Sequence, residues 1–146
     1  MKADPSKTTV RAWARLLRAQ RAALASIEKE LKSAELPPLA WYDALLELER
    51  VEERGLRPFE LEREMLLTQY NLSRLIDRIA KAGYVERRAC EDDGRGQLIT
   101  ITSAGKKIRR RIWAVYGPAI QNALGRRLSE KDIDDLDALL GKLIDK

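Results

Sequence analysis

Apolar residues recur every three or four positions from Val10 to Leu31, through Trp13, Leu17, Leu24 and Ile27, with one polar break at Gln20. That spacing predicts an amphipathic helix over 8–33 whose stripe must be covered by another helix. The pattern resumes in LPPLAWYDALLELERVEERG, where the prolines suit a first turn and Gly55 a C-cap, so a second helix is expected over 38–53. RPFELEREM predicts a short third helix near 60–65. A fourth is expected from Thr68, as N-cap, to Lys81, with Gly83 supplying the left-handed residue that closes it. Two runs rich in β-branched and aromatic residues, YVERR and QLITIT, then bracket the glycine-bearing stretch ACEDDGRG and predict a hairpin. Helical periodicity returns in AGKKIRRRIWAVYGPAIQNAL and in SEKDIDDLDALLGKLI, the latter opened by a Ser129-x-x-Asp132 cap.

Helix, turn, helix and a two-stranded wing make a winged helix-turn-helix core. The expected fold class is therefore mainly α with a small β-hairpin wing. The core spans 37–102, and dimerisation helices flank it at 1–36 and 103–146. The outer helices carry unpartnered stripes, Val10 to Leu31 on one side and Ile133, Leu136, Leu140 and Leu143 on the other. They are most simply paired across a two-fold axis, as a homodimer.

The fourth helix decides between a plain surface and a reading head. Leu72, Leu75, Ile76 and Ile79 follow core-facing spacing. The other side offers Thr68, Gln69, Tyr70, Asn71, Ser73, Arg74 and Arg78 rather than the usual glutamate and lysine, and these types hydrogen-bond base edges or phosphate oxygens. Asp77 is the exception on that face. It would repel phosphate unless paired with Arg74, Arg78 or Lys81, or it accepts from a cytosine amino group.

Charge strengthens the case. The chain of 146 residues has a formal net charge of +5, and all of it lies in 57–111, where 13 Lys and Arg face 8 Asp and Glu. A basic centre between neutral flanks fits a phosphate partner. With no histidine and one cysteine, the usual zinc sites and histidine-dependent nucleophilic catalysis cannot be assembled, so no enzyme, metal or cofactor is expected. No apolar run approaches a membrane span and no secretory signal is visible, so a cytoplasmic protein without membrane contact is expected. At the hairpin tip, glycines at 94 and 96 keep the loop slim, and an arginine there can enter the narrow, negative minor groove. Asp93 would hold the Arg95 guanidinium by a charge-assisted bond.

DGRGQLITITSAG resembles the Asp-x-Arg wing and following strand of the multiple-antibiotic-resistance-regulator (MarR) family, and NLSRLIDRIAKAGYVERR looks like its recognition helix and first wing strand. The order of the flanking helices is similar over almost the whole chain. The resemblance implies an obligate homodimer with interdigitated terminal helices, a pseudo-palindromic DNA operator, and repression relieved by a ligand or by oxidation. By position it makes Asp93 and Arg95 the wing pair, and Thr68, Gln69, Tyr70, Asn71, Ser73, Arg74 and Arg78 the recognition-helix contacts. Leu66 departs from the pattern by standing where a glycine is common in the turn.

The resemblance also implies a small, aromatic effector between the dimerisation helices and the core. Trp13, Trp41, Tyr42 and Trp113 are candidates to line its site, with Arg15 or Arg87 to meet a carboxylate, although large aromatics also serve simply as buried packing. Cys90, beside three acids that disfavour its thiolate, is a weaker candidate for a redox sensor. The rival reading is a winged helix without an effector, acting as an architectural or protein-interaction module.

Overall fold

A computed structural model of the chain describes residues 3–68, 71–89 and 96–144. The elements run α1 (Lys7–Ser33), α2 (Leu39–Val51), a 3₁₀ turn (Glu52–Arg54), α3 (Pro58–Glu64), α4 (Leu72–Lys81), β1 (Val85–Ala89), β2 (Gln97–Ile101), α5 (Ser103–Ile120), a π turn (Gln121–Gly125) and α6 (Glu130–Ile144). The expected class, mainly helical with one hairpin wing, is the class observed. The chain forms two compact units, one of residues 31–115 and the other of residues 1–30 with 116–146. The central unit thus takes in the last turn of α1 and the first part of α5, beyond the boundaries at 36 and 102 read from sequence.

In the central unit, the apolar face of α2 supplies Leu39, Tyr42, Ala44, Leu45 and Leu48 to the core. Leu61 and Met65 from the α3 end meet this set, along with Leu75, Ile76 and Ile79 from α4, Val85 and Ile99 from the hairpin, and Ile108 and Ile112 from α5. Burying each of the Leu, Ile, Val and Met side chains in this set contributes about 1.5–3 kcal/mol. The strands pair antiparallel in the register Val85↔Ile101 through Ala89↔Gln97.

A third piece of strand was not legible in the sequence. Leu56 exchanges two backbone hydrogen bonds with Ile99, at 3.0 and 2.9 Å. Gly55 makes this approach possible. It sits at φ +69°, and a Cβ there would lie 2.7 Å from the Ile99 carbonyl oxygen, so a side chain is excluded twice over. Helix α2 accordingly stops at Val51 and turns tightly through Glu52–Arg54 before that glycine, two residues earlier than the spacing predicted.

Helix α3 begins at Pro58, whose fixed φ and missing N–H suit a first helical position, and Glu60 reaches back to the Arg57 amide at 2.9 Å. Behind α4, Gly83 takes the left-handed conformation expected of it, at φ +85°. Thr102 then fastens the wing to α5, its hydroxyl donating to the Gly83 carbonyl at 2.7 Å and accepting from the Gly105 amide at 3.0 Å.

In the terminal unit, Ser129 and Asp132 form the reciprocal cap that opens α6, at 3.1 and 3.3 Å. Val10, Trp13 and Leu17 of α1 and Leu139, Leu140 and Leu143 of α6 are exposed in the single chain. Among the described residues, no helix is long and apolar enough to cross a membrane.

Candidate nucleic-acid interface

Helix α4 presents two chemically distinct faces. Leu75, Ile76 and Ile79 are buried and Leu72 is half-buried, while Asn71, Ser73, Arg74, Asp77, Arg78 and Lys81 are exposed. The N-cap differs from expectation. Asn71, not Thr68, caps the helix, its Oδ1 accepting from the Arg74 amide at 3.0 Å. An asparagine caps at least as well as a threonine, and here it stands directly before the first helical residue, so the described helix starts at Leu72. Thr68 remains exposed ahead of it. Of the other expected contacts, Gln69, Tyr70, Asp93 and Arg95 lie outside the described residues, as does Cys90.

Asp77 has a partner that the sequence did not suggest. Its carboxylate forms an ion pair with Arg87 of β1, rather than with the three cations of its own helix considered above. Arg87 belongs to the face of β1 that turns toward α4, while Glu86 and Arg88 alternate to the other. The pair therefore ties α4 to the wing and offsets a negative charge on a face that also exposes Arg74, Arg78 and Lys81. Arg88 in turn donates to the Glu53 carbonyl at 2.7 Å, anchoring the strand from behind. Glu52, Glu53, Glu86, Arg88, Thr100, Ile101 and Lys106 line a cleft of about 250 Å³ on that rear side, and none of the expected aromatic residues reaches it.

The turn between α3 and α4 is held by a residue that sequence reasoning missed. Asp43 of α2 is 4% exposed and accepts from the Leu66 amide at 3.1 Å and the Leu67 amide at 2.7 Å, one oxygen to each. The available signal was an acid in the middle of the otherwise apolar stretch LAWYDALL. One turn further along α2, Glu47 is also buried. Burial pushes its carboxyl above the usual 4.5, and Asp43 and Glu64 add to that rise, while Arg50 opposes it through its charge and a 3.2 Å hydrogen bond.

The expected effector residues are partly brought together. Tyr42 and Trp113 stack with centroids 6.1 Å apart and planes 21° from parallel, and Trp113 is about half exposed. Arg109 lies over the Tyr42 ring at 5.9 Å and bonds Glu49 at 2.5 Å. Burial acts to lower the pKa of this guanidinium, but the hydrogen bond and charge of Glu49, together with Tyr42, outweigh it and raise the pKa above its ordinary value. Trp41 instead packs edge-on against Tyr84, at 6.0 Å and 70°. Arg87 is engaged by Asp77, and Trp13 and Arg15 are exposed on α1 in the terminal unit. Among the described residues, no group of three or more His, Cys, Asp or Glu is placed to hold a metal ion.

Residues 35–96, from just after α1 to just before β2, match the MarR family model. Over that stretch the chain is similar to the MarR family. The multiple antibiotic resistance protein MarR of Escherichia coli K12 is 29% identical over 87 residues, 60% of this chain and 60% of that protein. The transcriptional repressor MprA of the same organism is 28% identical over 103 residues, 70% of this chain and 58% of that one. The chain therefore spans about three fifths of the length of these curated MarR-family relatives. The solved structure of Sco3205, a MarR family transcriptional regulator from Streptomyces coelicolor in complex with DNA, matches with a TM-score of 0.83 and 24% identity, over 96% of this chain and 91% of that one. That likeness shows the MarR winged-helix fold.

Proposed function

We propose that this chain is a MarR-family member: a cytoplasmic, homodimeric, sequence-specific DNA-binding transcriptional regulator, and a repressor. The observation that carries the reading is the outer face of α4, where Asn71, Ser73, Arg74, Arg78 and Lys81 are exposed on a helix seated in the core by Leu75, Ile76 and Ile79. A helix of that kind, second in a helix-turn-helix, enters the major groove and reads base edges. The chemistry of Arg74 and Arg78 suits guanine edges or phosphate, and that of Ser73 suits either. Thr68, Gln69 and Tyr70, which precede α4 in the sequence, are proposed as further DNA contacts. Asp93 and Arg95 act at the wing, the arginine in the minor groove and the aspartate orienting it.

Two further parts complete the proposal. A pseudo-palindromic operator follows from two copies joined through α1 and α6, each placing one α4 in successive major grooves about 10 base pairs apart. The apolar residues left exposed on those helices support such a joining. Release from the operator follows binding of a small aromatic ligand near the Tyr42–Trp113 stack, where a half-exposed ring and the Arg109 cation offer a planar anion both a stacking surface and a charge.

Replacing Arg95 with alanine tests the wing role. Operator affinity should fall by roughly 1–3 kcal/mol, read as a shift in the midpoint of a fluorescence-anisotropy titration. Unchanged affinity in a folded dimer would contradict the minor-groove contact.

A further inference from the structure

Two buried-side backbone amides, those of Leu66 and Leu67, depend on one carboxylate carried by a different helix. Asp43 lies among core residues Tyr42, Ala44 and Leu45 and is itself almost fully buried, a placement costing several kcal/mol unless its oxygens are hydrogen-bonded. Both oxygens are satisfied by the turn amides, and bonds of this charge-assisted kind are shorter and stronger than neutral ones. The packing of Leu66 does not hold the turn, since its side chain is 82% exposed. Nor does a glycine shape the turn, because Met65 leaves α3 in an extended conformation and leucines follow. The bracket from Asp43 thus holds the described part of the turn, at Leu66 and Leu67, from α2.

We propose that Asp43 is a positioning residue for DNA reading: by bracketing the α3–α4 turn it sets the pose of α4, so operator discrimination depends on a carboxylate that never touches DNA. This inference rests on the regulator function proposed above. Base-edge contacts tolerate errors of only about 0.5 Å in the supporting backbone. Helix α4 is ten residues long, so a small tilt at its origin moves Arg74 and Arg78 off their partners. Phosphate attraction is far less demanding of geometry, because it acts through charge. Loss of the bracket should therefore separate specific from non-specific binding.

The test compares wild-type protein and Asp43→Asn, both confirmed folded by circular dichroism at low temperature. The two probes are a duplex enriched by selection on the wild type and a random duplex at the same salt. The expected result is a loss of about tenfold or more on the selected duplex with little change on the random one. Equal losses on both duplexes, or an unchanged ratio between them, would overturn the proposal. Should Asp43→Asn fail to fold, Asp43→Ser, which keeps one acceptor on a shorter arm, carries the same comparison. Amide exchange in the wild type reads the bracket directly. Leu66 and Leu67 should exchange as slowly as core amides, and exchange at the rate of an open turn would also overturn it. If selection on the wild type enriches no sequence, the regulator reading itself fails, whereas enrichment followed by equal discrimination in the variant defeats this inference alone.

Discussion

Single residues in this protein act through charges placed where water is scarce. Glu47 is the clearest case, because burial disfavours its carboxylate and raises its pKa, with nearby Asp43 and Glu64 adding to the effect. A raised carboxyl binds its proton more tightly in the folded chain than in the unfolded one. Its favourable contribution is therefore complete below the ordinary value of 4.5 and is lost as pH rises through the folded pKa. Glu47→Gln, which can still accept from Arg50, should raise the melting temperature at pH 7, and the gain should shrink toward zero near pH 4. Thermal unfolding at the two values checks this, and an equal gain at both would show that the charge is not the cause. Glu47 was not legible as special in LAWYDALLELER, and the acid at Asp43 stood out there without revealing its partner, because helical spacing places a residue on a face without saying what lies opposite it. Asp77 shows the same limit. The sequence raised the right question about its charge, but its partner was Arg87, ten positions away across a turn.

Elements were far more legible than pairings. Helical periodicity, Gly83 and the Ser129–Asp132 cap are local signals, and each element they announce is present. The misses fall at boundaries and at contacts distant in sequence. The described start of α4 is set by Asn71, and the Leu56–Ile99 bridge depends on a strand more than forty residues away. The Asp77–Arg87 pair joins α4 to β1, and it yields a prediction at this scale. Arg87→Ala leaves the carboxylate uncompensated near phosphate and should weaken binding to any duplex. Asp77→Asn frees a cation and should leave random-duplex binding equal or tighter. Affinities of both variants on one random duplex at fixed salt test the assignment, which a matching loss in the two variants would contradict.

For the whole molecule, α1 leaves Val10, Trp13 and Leu17 exposed and α6 leaves Leu139, Leu140 and Leu143 exposed, Leu143 being 69% exposed. A two-fold interface doubles every substitution, because the same patch is used by both copies. In the proposed dimer, Leu143→Lys would remove two interface leucines, at about 1.5–3 kcal/mol each before the cost of burying lysine. Sedimentation equilibrium should show the wild type as two chains and the variant as one, with the helical signal retained. A variant that stays dimeric would place the interface elsewhere. The excess positive charge of 57–111 was readable directly from sequence, since net charge needs no knowledge of the fold.

The central claim, that α4 and the wing read DNA sequence, is tested most directly by titrating the protein into labelled DNA from upstream of its own gene. The titration is run with excess unlabelled random competitor at two salt concentrations. The account predicts a complex that survives competitor and whose affinity falls steeply with salt, because several phosphates are neutralised. A complex erased by competitor at both salt concentrations would contradict it, leaving a basic protein that binds phosphate without reading bases.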